Sequence, residues 1–87
     1  MKASGDSMKD AGILEGDLLI VDRAIEPKNN HIVIASINDE QAVKRLRVKK
    51  GTVSLVPENQ SYKPIEISAE MDFRTLGVVT YVIRKTG

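Results

Sequence analysis

The sequence predicts an all-β fold: a small, strongly bent barrel with one short helical turn. Three observations carry that expectation. Apolar residues come in short runs rich in Val and Ile, as in Leu18–Val21, His31–Ile37 and Val78–Ile83. Turn-forming clusters separate them at close spacing, namely Glu26-Pro27-Lys28-Asn29-Asn30, Asn38-Asp39-Glu40, Lys50-Gly51 and Pro57-Glu58-Asn59-Gln60. Only residues 8–16 leave room for a helix, and they allow one or two turns at most. Several short strands at such spacing belong to sandwiches and barrels.

Taken in order, Ser7 or Asp6 is placed to cap the helical turn, and Gly12 or Gly16 to end it. Leu18–Val21 is a continuous apolar run between turn signals, which reads as a strand buried on both faces. His31–Ile37 is the second strand, joined through the Asn38-Asp39-Glu40 turn to a third that begins at Gln41, as a hairpin. Successive side chains of a strand point to opposite faces. Ala42, Lys44, Leu46 and Val48 therefore share one face of strand three, and Val43, Arg45, Arg47 and Lys49 the other. Lys44 is the only charge on the apolar face, while Arg45, Arg47 and Lys49 read as a solvated stripe. Thr52–Val56 follows as a strand, Ile65-Glu66-Ile67 as a short peripheral one, and Phe73 to Lys85 as a long one that is apolar on both faces over 78–83. That last strand is expected in the middle of the sheet or in a contact between two copies.

With 87 residues, the chain is read as a single domain over 1–87. A domain of this size hides only about 60–65% of its unfolded surface, so the core is modest. A net charge of +1, one Phe, two Tyr and no Trp argue against a dedicated nucleic-acid binder, which needs a basic face and aromatic platforms. The absence of cysteine favours a reducing cytoplasm. No signal peptide is visible, and the longest aliphatic run is far short of the roughly 20 residues of a membrane helix. Neither a metal nor another cofactor is expected, because His31 stands without a second His or a Cys.

Chemistry points to the stretch Ala3-Ser4-Gly5-Asp6-Ser7-Met8 together with Lys44. A serine hydroxyl needs a base to take its proton. No His–Asp relay is on offer, since His31 has no obvious acidic partner, but a Ser–Lys dyad needs only two side chains. Its lysine must be neutral. The reference pKa is about 10.4, and burial lowers it by up to ~3–5 units. Gly5 frees the backbone of the turn, so the N–H groups of Asp6 and Ser7 are candidates for an oxyanion hole. Each residue alone has a plainer reading: a serine beside glycine is an ordinary turn residue, and a lone lysine on an apolar strand face snorkels to water. Asp10, Asp17 and Asp22 read as turn and cap residues, and His31 as a surface residue at a strand start.

The blocks Ser4-Gly5-Asp6-Ser7-Met8, Gly16-Asp17-Leu18-Leu19-Ile20-Val21-Asp22, Val43-Lys44-Arg45-Leu46, Leu55-Val56-Pro57-Glu58-Asn59 with Lys63-Pro64-Ile65, and Gly77-Val78-Val79 resemble the LexA/UmuD family of Ser–Lys self-cleaving peptidases. They occur in the family's order and spacing and span nearly the whole chain. The first block is closest to the UmuD branch; the Val43–Leu46 and Pro57-Glu58-Asn59 blocks also suit LexA. The resemblance implies the LexA C-terminal, β-clip-like fold. It puts the nucleophile on Ser7, the general base on Lys44 and the oxyanion donors on the amides of Asp6 and Ser7. It further implies SOS-response autoproteolysis stimulated by the RecA–single-stranded-DNA filament, a homodimer and, for UmuD-type products, a translesion DNA polymerase as partner. The family's scissile Ala–Gly or Cys–Gly bond lies well upstream of the serine, whereas Met1 precedes Ser7 by only a few residues. The cleaved segment is therefore expected to be missing, with Ala11-Gly12 a decoy in a structural turn and activity limited to a peptide supplied in trans. A groove or sheet edge should lie uncovered. Two other readings stay open: a non-catalytic dimeric subunit of an error-prone translesion polymerase, and the dimerisation domain of a phage-type repressor.

Overall fold

The computed structural model describes residues 1–86. A single 3₁₀ turn, Lys9–Ala11, precedes six strands: β1 (Leu18–Asp22), β2 (Ile32–Ile37), β3 (Glu40–Lys49), β4 (Thr52–Val56), β5 (Ile65–Glu66) and β6 (Phe73–Ile83). They form one antiparallel sheet in the order β1-β6-β2-β3-β4-β5. The fold is thus all-β, as the turn spacing predicts. Among the described residues, no helix is long and apolar enough to cross a membrane.

Local chemistry explains the hairpins. Asn38 and Asp39 both take positive φ, 49° and 70°, between the paired residues Ile37 and Glu40. Lys50 and Gly51 do the same, at 49° and 80°, between Lys49 and Thr52. Two-residue loops with two left-handed residues match the twist of the flanking strands.

The sheet bends where β6 is irregular. Ile20 and Val21 of β1 face Tyr81 and Val79, which leaves Thr80 unmatched, and its hydroxyl donates to Ile20 O at 3.2 Å. On the other side, Ile34 and Ala35 of β2 face Gly77 and Thr75, which leaves Leu76 unmatched. Bulges of this kind kink a strand and strengthen its twist. Gly77 sits between them, and a Cβ there would run into the Val21 side chain. The bend expected of a small barrel is carried by these bulges, in a sheet whose pairing runs openly from β1 to β5.

Alternation along β2 makes two cores, one on each face. Ile34 joins Ala3, Met8, Ile13 and Leu19 on one side. Val33 and Ala35 join Leu46, Leu55 and Val78 on the other. Burying each Leu or Val stabilises by about 1.5–3 kcal/mol, so β2, covered on both sides, anchors the sheet. The structure corrects the reading of β1. It is an outer strand with Leu19 buried but Leu18 and Ile20 about 40% exposed, so only one face is covered. A run of apolar residues does not reveal that a neighbour is lacking. Residues 1–3 partly occupy its outer edge: Lys2 bridges to Leu18, Ala3 N donates to Asp17 O at 2.8 Å and Gly16 N to Ala3 O at 2.8 Å. β6 is central over its first half but exposed from Thr80 to Ile83.

Candidate active site

The serine turn is pinned at both ends by its own apolar residues. Ala3 and Met8, 7% and 3% exposed, sink into the first core and leave Ser4 to Ser7 as a bridge over the surface. Gly5 makes the reversal with φ +75°, a conformation costly to any side chain. Neither Ser7 nor Asp6 caps the following 3₁₀ turn with its side chain, contrary to the expectation; Met8 occupies the cap position without a side-chain bond. Both polar groups are engaged elsewhere. Asp6 Oδ1 accepts a hydrogen bond from Tyr62 Oη at 2.5 Å, and that partner pushes the Tyr62 phenol above its ordinary pKa. The Ser7 hydroxyl faces Lys44. Ala11-Gly12 ends the 3₁₀ turn, with Gly12 at φ +82°.

Lys44 sits on β3 opposite Val33, which is fully buried. Its Nζ lies 2.9 Å from Ser7 Oγ and 3.3 Å from Val43 O. No carboxylate among the described residues forms an ion pair with it. Burial without a counter-ion disfavours the ammonium and holds Lys44 below the ordinary lysine pKa. Lys44 lines two cavities. One of about 160 Å³ is bounded by Ser4, Gly5, Ser7, Met8 and Ala42; another of about 300 Å³ sets Ala35, Ile37, Ala42, Leu55 and Ile65 beside polar Asn38, Glu40 and Gln41. A larger concavity, about 580 Å³, lies elsewhere, over the β3–β4 hairpin beside Arg47 and Lys49.

The cationic stripe of β3 is not uniformly solvated. Arg47 and Lys49 are exposed, but Arg45 donates through Nε to Glu58 Oε1 at 2.5 Å and through Nη1 to Asn30 O at 2.7 Å. Val48, expected on the apolar face, is 43% exposed beyond the end of the core. His31 accepts the Lys28 N–H at Nδ1 and closes the turn before β2.

Residues 57–62 are the part of the site that sequence reasoning treated as a mere turn. Asn59 is buried and donates from Nδ2 to Asp6 O at 2.9 Å, while Asp10 N donates to Glu58 O at 2.8 Å. With the Tyr62 bond, three contacts dock this loop on the serine turn and the 3₁₀ turn that follows it. The available signal was Asn59 after a proline in a segment with no hairpin glycine. Asp17 and Arg84 were also under-read. Arg84 Nε and Nη2 bind the two carboxylate oxygens of Asp17 at 2.8 and 2.6 Å, and Nη2 also reaches Gly12 O at 2.8 Å. The pair ties the end of β6 to the loop that follows the serine turn.

The chain that makes this arrangement has known relatives. Residues 1–80 match the Peptidase S24-like family. The chain is 48% identical over 84 residues to a LexA repressor of Bordetella parapertussis, a match covering 97% of this chain and 39% of that protein. It is 46% identical over 84 residues to a LexA repressor of Bordetella petrii, covering 97% and 38%. A LexA repressor of Leptothrix cholodnii is 46% identical over 87 residues, covering 99% and 38%. The chain spans about two fifths of the length of these curated relatives.

Proposed function

This chain belongs to the Peptidase S24-like family, and we propose that it is the peptidase unit of an SOS-response protein, with Ser7 as nucleophile and Lys44 as general base. The observation that carries the reading is the 2.9 Å approach of Nζ to Oγ by a lysine whose burial favours the neutral amine. The amine accepts the hydroxyl proton as Oγ attacks the carbonyl carbon of a peptide bond. The carbonyl electron pair moves onto oxygen, and the N–H groups of Asp6 and Ser7 receive that oxyanion. As the intermediate collapses, the C–N bond breaks, the Lys44 ammonium protonates the departing amine, and an ester remains on Ser7. Water, deprotonated by Lys44, then hydrolyses the ester and restores both side chains.

The substrate is a polypeptide segment, presented by a longer form of the chain or in trans. The Ala35, Ala42 and Leu55 wall of the cavity beside Lys44 supports a small apolar side chain next to the scissile bond. Family membership adds the RecA–single-stranded-DNA filament as stimulating partner. The test is incubation at alkaline pH with a separate peptide bearing the family's Ala–Gly bond. Cleavage by the wild-type protein and none by Ser7→Ala is expected; equal cleavage by both removes the reading.

A second reading is favoured by one observation. The cross-strand pairs Leu18/Ile83 and Ile20/Tyr81 lie side by side on one face, each residue 40–69% exposed. This stripe suits a homodimer, which would serve a translesion polymerase or a phage-type repressor whether or not the dyad is active. Light scattering at micromolar concentration should give a dimer that Tyr81→Asp converts to monomer. A strict monomer in the wild type removes this reading.

A further inference from the structure

We infer that Asn59 is the positioning residue of the oxyanion site, acting through the peptide unit between Asp6 and Ser7; the inference rests on the Ser7–Lys44 reading above. Asp6 O and the Ser7 N–H belong to one planar unit, and with no cis bond among the described residues they point in opposite directions. A donor that fixes the carbonyl therefore aims the N–H. Asn59 Nδ2 is that donor, at 2.9 Å. Among the described residues, neither the Asp6 nor the Ser7 N–H donates to a protein acceptor, so both are available to a ligand.

The turn needs such a lock. Gly5, with φ +75°, lies one residue before this peptide and puts a freely turning joint in the chain that carries it. The other bond to Asp6 O, from Lys9 N, is longer at 3.2 Å. Asn59, in contrast, is 7% exposed and cannot turn its amide over. Its Oδ1 accepts Ser61 N at 2.9 Å, which assigns oxygen to that side and nitrogen to the side facing Asp6. Its own carbonyl accepts Tyr62 N at 3.0 Å, and Tyr62 holds the Asp6 carboxylate away from the site. One buried amide thus couples the 57–62 loop to the direction of the Ser7 N–H.

The decisive variant is Asn59→Asp. It keeps the size and the acceptor for Ser61, but it sets an oxygen against Asp6 O and removes the clamp. Peptide cleavage by Asn59→Asp and Asn59→Ala should fall about 10- to 100-fold in kcat, somewhat below the loss of a direct oxyanion donor. KM should stay near the wild-type value, and in the uncharged Asn59→Ala the pH midpoint should not move, because Lys44 is untouched. Binding of a peptide aldehyde, whose adduct carries the oxyanion, should weaken by the same factor as kcat. The Ser7 N–H direction, read from residual dipolar couplings in the folded variant, should change. A folded variant with kcat within twofold of wild type, an unchanged Ser7 N–H direction, or, in Asn59→Ala, a lost kcat with a displaced pH midpoint overturns the inference. A wild-type protein that cleaves nothing removes the dyad reading itself and the catalytic role of Asn59 with it. A changed dipolar coupling would then still report the clamp.

Discussion

Asp17 and Lys44 are both ionisable groups withdrawn from water, and their surroundings differ in kind. Asp17, 3% exposed, accepts both prongs of the Arg84 guanidinium and the Leu14 N–H at 2.8 Å. Arg84 and that backbone bond hold its carboxyl below the usual range, so its charge is fixed across ordinary conditions. Lys44 has a hydroxyl and one carbonyl beside it and, among the described residues, no counter-ion, and burial pushes it the other way, toward its neutral form. A buried group with a matched partner is locked in one protonation state and serves the fold. A buried group without one can gain and lose a proton near working pH, which is what a general base requires.

The comparison breaks most sharply if Lys44 is given a charge it cannot shed. A guanidinium stays protonated at any accessible pH, so Lys44→Arg should abolish cleavage, by about 10²- to 10⁴-fold or more, while the protein still folds. Steady-state assays of the Ala–Gly peptide check this. Retained activity would mean that Lys44 does not act as base.

Proton linkage gives the next effect. The folded pKa of Lys44 lies below its unfolded value, so between the two the unfolded chain binds more protons. Stability must then rise with pH through that window, and the cost of burying the amine is fully present below it. Cleavage should rise with unit slope and level off once the folded pKa is passed. Lys44→Met removes the cost, so it should melt higher than wild type at pH 7 while being inactive. A lower melting temperature would show that Lys44 is not held against its preference.

Asp17 has the opposite sign. Its depressed folded pKa contributes stability above the unfolded carboxylate value that is lost as pH falls through the folded one. Arg84→Met should lower the melting temperature at pH 7 by more than Lys49→Ala on the exposed stripe, and the difference from wild type should shrink on acidification. Thermal melts at stepped pH are the check. A difference that does not depend on pH would assign the role of Arg84 to packing, not charge.

How much of this was legible in the sequence follows from distance along the chain. Gly5 and the alternation of β3 are local signals, and they pointed to Ser7 and to Lys44 on the apolar face. The hairpin turns at Asn38-Asp39 and Lys50-Gly51 were legible for the same reason. The exposure of Leu18 and Ile20 was not, because an apolar run looks the same at the end of a sheet as in its middle. The capping role assigned to Ser7 or Asp6 failed because partners 37 and 56 residues away, Lys44 and Tyr62, outcompete the nearby backbone. Asn59 and Arg84 act over 53 and 67 residues, and no periodicity carries such pairings.

Arg45 lies between the two cases and gives the smallest effect. It neighbours Lys44 on β3, yet it has a counter-ion, Glu58, and both side chains keep about a quarter of their surface in water. Partly exposed pairs of this kind contribute about 0.2–1 kcal/mol. Glu58→Gln should therefore lower the melting temperature by only about 1–8 °C in a domain of this size. Its sign on the base is the sharper measurement. Removing the Glu58 anion leaves the cation of Arg45, the residue next to Lys44, uncompensated; that makes the Lys44 ammonium less favourable, so the pH midpoint of cleavage should move slightly downward. An upward shift would mean that Glu58 reaches Lys44 through the 57–62 loop and the serine turn, by changing its burial, and not through its charge.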